Sequence, residues 1–195
     1  MTPFDFIDCP LDVLNQPDPA LVFDVAELSA PPVRKRLLKA LLRRLDKQTP
    51  RHDELRGHTA YALAALSGRK RRKRLKLALC CFACVARRQP ENHFARIYLA
   101  YTLYDLGKFK GSLKALRRIP KNHFAKRRQR WRDLERRQLE ICCLLRLGKT
   151  RRLPARLADL FEYTARAKPI DCPFPEALVA TLQLLVRRAR EAQEK

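Results

Sequence analysis

The chain has 195 residues, 46% apolar and 32% charged, long enough for one domain with a real core and too apolar for a disordered polymer. It carries 43 Lys and Arg against 20 Asp and Glu, a net charge of +23, so its field gathers polyanions. Only 5 glycines, with abundant Leu, Ala, Arg and Lys, speak against a sheet-rich fold full of tight turns and for helix.

Residues 1–33 hold Asp5, Asp8, Asp12, Asp18, Asp24 and Glu27 and no basic residue, so the whole positive excess falls on 34–195. This shift divides the chain into an acidic, Pro-rich arm (1–33) and a basic helical-repeat domain (34–195). Within the arm, Leu21, Val25 and Leu28 are spaced for one short amphipathic helix. The arm either packs on the protein's own basic surface, as an integral cap or a displaceable mimic of an acidic ligand, or hangs as an unattached tail. Its acidic start lacks the basic and apolar regions of a secretory signal.

Pro31-Pro32 suit a helix start, and a first long helix is expected over 33–47. A second spans 51–67, with Gly57 as an awkward interior residue, and a third spans 70–88. Then come 92–106 ending at Gly107, 108–119 ending at Pro120, and a long helix over 122–147 ending at Gly148. Pro154 opens the next, and 174–194 form the last, with Leu178, Val179, Leu182, Leu185, Val186 and Ala189 facing inward as a cap. No stretch alternates with period 2, so little or no strand is expected. The longest near-apolar run, 75–86, contains Lys76 and is too short to span a bilayer, so no membrane insertion is expected.

Gly68, Gly107 and Gly148 recur at helix ends about 40 residues apart, two helices to a period, which is the mark of an α-solenoid. The stretch ARIYLAYTLYDLGKFKGSLKALRRIP (95–120) resembles a tetratricopeptide (TPR) unit. Ala100 stands as the small residue of the first helix, Gly107 as its terminator, Phe109 as the aromatic after it and Ser112 as the small residue of the second. The spacing exceeds that family's period of about 34 residues, and its early Trp is missing. The resemblance implies an all-α, TPR-like solenoid of about three helical hairpins with flanking N- and C-terminal helices, and a surface that binds proteins or peptides.

PENHFAR (90–96) and PKNHFAK (120–126) are near-copies. Proline breaks the preceding helix, Asn92 or Asn122 N-caps the next, and Phe94 or Phe124 packs backwards, which makes the motif a repeat joint. KPIDCPF (168–174) offers a degenerate third copy. The alternative is that His93 and His123 form a matched pair of ligands or bases.

Cys81-Phe-Ala-Cys84 and Cys142-Cys143 lie within helical patterns, where small buried thiols suit helix contacts better than a tetrahedral metal site. No metal or cofactor is expected, and the 7 cysteines suit a reduced, cytoplasmic chain. Gly148-Lys149-Thr150 mimics the tail of a P-loop, but no strand precedes it and position 143 is Cys. Acid pairs such as Asp53-Glu54 suit caps or solvated faces.

Two basic runs remain. Arg69, Lys70, Arg71, Arg72, Lys73 and Arg74 open the third long helix. Lys126, Arg127, Arg128, Arg130, Arg136 and Arg137 belong to the 122–147 helix, whose stripe of Phe124, Trp131, Leu134, Ile141 and Leu145 would face the core. Lys126, Arg130 and Arg137 would then form an exposed ladder able to follow a phosphate backbone. RKRRKR would also serve as a nuclear address in a eukaryotic host. The expected function is non-enzymatic: an interaction or adaptor module that holds an acidic protein or peptide on a basic surface. The alternative is RNA or DNA binding through Lys/Arg ladders.

Overall fold

A computed structural model describes residues 18–46, 52–127 and 129–166, with isolated positions 14, 183, 186, 187 and 191. The expected helix over 174–194 and the joint at 168–174 lie essentially outside the described residues, as do Cys9, Cys172 and Arg128. The described residues form α-helices and short 3-10 turns with no strand, and fall into two compact units divided between Leu106 and Gly107. That division cuts through the stretch resembling a TPR unit.

The first unit contains α1 (Pro19–Leu28), α2 (Pro31–Asp46), α3 (Asp53–Ala65), α4 (Arg71–Arg88) and α5 (His93–Asp105). Asp18 caps α1 by accepting from the Ala20 N–H at 2.8 Å, and Pro19 supplies a pre-set φ at its first position. The arm's helix forms as its caps dictate, and of the expected stripe Val25 is buried and Leu21 packs on the same core, while Leu28 does not. Val22, Val25 and Ala26 enter a core with Leu37, Leu38, Leu41 and Leu45 of α2 and Leu63 of α3, whereas Leu28 is 73% exposed. Arg34 of α2 donates from Nε to the Ala26 carbonyl at 3.0 Å, a second bond to an acceptor that also takes the Ser29 N–H, and so ties α2 to the end of α1. The described part of the acidic arm is thus packed on the first basic helix.

Gly57 earns its place inside α3 through packing. A Cβ there would meet the Phe82 ring of α4 at 2.9–3.1 Å, so only glycine lets the two helices approach this closely. Phe82 is fully buried, in a cluster with Ala60, Ala78, Val85 and Ala95. Tyr98 stacks on it at 5.5 Å, and the His58 ring stands edge-on to both.

The second unit contains α6 (Phe109–Arg117), a 3-10 turn (Ala125–Arg127), α7 (Arg130–Arg146), a 3-10 turn (Thr150–Arg152) and α8 (Leu153–Ala165). α7 packs against both α6 and α8. The expected continuous helix over 122–147 is not formed: α7 begins only at Arg130. A start at Arg130 puts Asp133 in the first turn, where its carboxylate accepts from the Ala125 N–H and holds the preceding residues in a turn. Gly107 and Gly148 have the left-handed φ of +75° and +64° expected after a helix; Gly68 does not.

The two near-copies fold differently. Asn92 caps α5, accepting from the Ala95 N–H at 2.9 Å and donating to Glu54 of α3 at 3.0 Å. Asn122 instead adopts a left-handed φ of +56° and accepts from Arg137 Nη2 at 3.3 Å. The equivalent donor, Ala125 N–H, is satisfied by Asp133 Oδ2 at 2.8 Å. In the first copy Asn92 caps the next helix as expected; the second is a turn held by a carboxylate from the following helix.

Candidate anion-binding surface

The run at the start of α4 divides by role. Arg71 pairs with Asp105 of α5 at 3.3 Å, and Asp105 also accepts from the Tyr61 hydroxyl at 2.9 Å. Burial and that carboxylate push the Tyr61 phenol well above its ordinary range. Arg74 reaches back to the end of α3, donating to the Leu63 carbonyl at 2.9 Å and to Ser67 Oγ. These two cations are structural. Arg69, Lys70, Arg72 and Lys73 are exposed and form no ion pair among the described residues. No acidic residue lies between Glu54 and Glu91 to neutralise them locally.

The second run separates further. Lys126 and Arg127 are exposed on the 3-10 turn. Arg130 is half-buried, with its guanidinium 5.4 Å from the Tyr163 ring centroid and Nη1 donating to the Arg166 carbonyl at 3.3 Å. Arg137, expected on an exposed ladder, and Arg136, expected to be part of the same partner-binding run, are buried at 9% and 7%. The reason is that α7 has a neighbour on two sides, so its polar face is enclosed as well as its apolar one. Arg137 pairs with Asp159 of α8, touches Asn122 and lies 4.2 Å over the Tyr163 ring. Arg136 lies 3.4 Å from Asp133, which has no exposed surface and also accepts from Ala125 and, at 3.5 Å, from Tyr163. Burial, then Asp133, raises the Tyr163 phenol above its ordinary value. Trp131 is half-buried rather than core, with Arg132 stacked 4.2 Å over its ring.

A third basic surface was not singled out in the sequence. Ser112, Leu113, Ala115 and Leu116 of α6 face inward, which leaves Lys110, Lys114 and Arg117 exposed at i, i+4 and i+7. With Arg118 and Lys149 they line a groove of about 410 Å³ whose apolar members are Leu113 and Leu147, with no acidic residue. On the other side of Arg117 a smaller pocket of about 180 Å³ lies among α6, α7 and α8. The signal was legible: no acidic residue stands between Asp105 and Asp133, and the three α6 cations fall at helical spacing.

His93 lies in the first unit, beside Arg96 at 3.2 Å, and His123 in the second, edge-on to Phe124 at 5.1 Å. Burial, reinforced by Arg127, lowers the His123 pKa. Burial pushes the Cys81 and Cys143 thiols up to about 11, which keeps them protonated and unreactive at neutral pH. Among the described residues no group of three or more His, Cys, Asp or Glu is placed to hold a metal, and no helix is long and apolar enough to cross a membrane. Gly148-Lys149-Thr150 lies between α7 and a 3-10 turn, not between a strand and a helix. The chain matches no family model, no curated protein and no solved structure.

Proposed function

We propose that this chain is a non-enzymatic interaction module that holds an acidic protein or peptide against its exposed helical cations. The observation that carries this reading is the groove along α6, where Lys110, Lys114, Arg117, Arg118 and Lys149 surround two leucines with no acid among them. Cations beside apolar side chains suit a partner that offers both carboxylates and apolar anchors. Leu113 is 4% exposed, so Leu147 supplies most of the apolar contact, and a bare polyanion would leave it unused. The resemblance of 95–120 to a TPR unit points the same way.

A second reading, RNA or DNA binding, is favoured by Trp131, whose partly exposed ring carries Arg132 at 4.2 Å and follows the cationic 3-10 turn in sequence.

The test is fluorescence anisotropy of an acidic, leucine-containing peptide and of a mixed-sequence single-stranded RNA, each titrated across salt. Charge reversal of Lys110, Lys114 and Arg118 should weaken the peptide at physiological salt by about tenfold or more. RNA binding should fade by that ionic strength. RNA that stays bound there, with a steep salt slope, would transfer the reading to nucleic acid.

A further inference from the structure

The pocket of about 180 Å³ among α6, α7 and α8 differs in kind from the open groove beside it. Its cations are Arg117 and Lys121 from α6 and the turn after it, Arg136 and Arg137 from α7, and Arg156 from α8. Its acids are Glu140 and Asp159, and both are already engaged: Glu140 with Arg156 at 3.2 Å, Asp159 with Arg137. Arg117 and Lys121 are exposed at its rim and form no ion pair among the described residues. Arg136 is 7% exposed and ion-paired with Asp133 at 3.4 Å, a contact in which its Nε forms no hydrogen bond.

Building on the reading of this chain as a binder of acidic partners, we propose that this pocket is a subsite for one phosphoryl group, and that the acidic partner is a phosphorylated peptide. The pocket's positive excess matches a dianion better than a carboxylate. A phosphomonoester brings a charge of about −1.5 to −2 and three acceptor oxygens, enough to meet several fixed donors at once. Guanidinium groups present paired N–H donors that fit such an oxyanion bidentately. The volume lies below the roughly 300 Å³ at which pockets begin to enclose whole small-molecule ligands, so it admits a group rather than a nucleotide. Glu140 and Asp159 repel a continuous phosphate backbone and confine the anion to the end held by Arg117 and Lys121, with the Asp133-paired Arg136 behind them. The adjoining groove shares Arg117 and would receive the acidic residues flanking the phosphorylated one.

The experiment uses the full chain and three fluorescent Asp/Glu-rich peptides at physiological salt: one with a single phosphoserine, its unphosphorylated twin, and a twin with Glu at that position. Phosphorylation should tighten binding about tenfold, with Glu recovering little of the gain. Arg117→Ala with Lys121→Ala, both exposed positions, should lower the phosphopeptide's affinity to that of its twin. Lys110→Ala with Lys149→Ala, in the neighbouring groove, should weaken both peptides and preserve their ratio. Equal affinity for the phosphorylated and unphosphorylated peptides overturns the inference while leaving the proposed function standing. A preference that survives Arg117→Ala with Lys121→Ala also overturns it. Failure of all three peptides to bind removes the proposed function and this subsite together. Displacement of the phosphopeptide by single-stranded RNA at tenfold lower concentration likewise overturns it.

Discussion

Asp133 has no exposed surface, yet its carboxylate accepts from the Ala125 backbone and the Tyr163 hydroxyl and lies beside Arg136. It thereby joins the turn before α7 to α8 and offsets a buried cation. Replacing it with alanine strands the Ala125 N–H and leaves Arg136 uncompensated. Breaking a buried pair from one side costs about 3–5 kcal/mol. Asp133→Ala should therefore lower the urea midpoint by most of what the second unit can lose, whereas Glu162→Ala, at an exposed i,i+4 pair with Arg166, should cost less than about 0.5 kcal/mol. Equal effects in urea titrations of the two variants would refute this account. Gly57 makes the opposite kind of argument. In an exposed helix Gly→Ala gains about 1 kcal/mol, but here the new methyl lies 2.9–3.1 Å from a fully buried ring. Overpacking of that sort costs about 1–3 kcal/mol, so Gly57→Ala should be net destabilising. Gly57→Ala combined with Phe82→Leu should cost less than the sum of the single changes, because the added methyl then has room. Strict additivity would place the strain elsewhere.

Helices α2 to α6 begin and end within a few residues of where prolines, glycines and apolar spacing put them, because those signals act locally. The failures came where a distant partner decides. His-Phe-Ala after Pro and Asn reads as one joint used twice, yet Asn92 caps a helix and Asn122 sits in a left-handed turn whose backbone donor is taken by Asp133, eight residues beyond Ala125. The misreading spread: a stripe drawn from Phe124 through Trp131 assumed one helix, and that phase placed Arg137 in solvent. An amphipathic reading also assumes a single covered face, and α7 is covered by both α6 and α8. The four cations of the α4 run that form no ion pair among the described residues were legible because nothing acidic lies near them in sequence. Asp105, which engages Arg71, was not, since it is distant along the chain. The difference between the two joints is measurable. Asn92→Ala removes a helix cap and the bond to Glu54 and should cost about 1–2 kcal/mol. Asn122→Gly relieves a left-handed side chain and gives up one 3.3 Å contact, so its net cost should stay below about 0.5 kcal/mol. Equal losses in the two variants would mean that the second copy also works as a cap.

The net charge of +23 makes opposing demands on the chain as a whole. Many described carboxylates already have a cationic partner: Asp46 with Arg56, Asp53 with Arg88, Asp105 with Arg71, Glu140 with Arg156 and Asp159 with Arg137. Salt weakens such pairs, but the exposed ones contribute little and the buried ones are poorly screened. The cations outnumber the carboxylates and repel one another, and salt weakens that repulsion too. The surplus is larger, so added sodium chloride should stabilise the protein rather than destabilise it. For a chain of this size, relief of about 1 kcal/mol raises Tm by about 2–4 °C. The rise should be steepest below about 0.1 M, where the Debye length still exceeds about 10 Å. Sodium phosphate at matched ionic strength separates screening from binding: an additional rise that saturates with concentration, and that Arg117→Ala with Lys121→Ala abolishes, would belong to a site. Identical curves in the two salts would assign the whole effect to diffuse repulsion. A Tm that falls with salt would mean that the ion pairs, few as they are, outweigh the surplus that surrounds them.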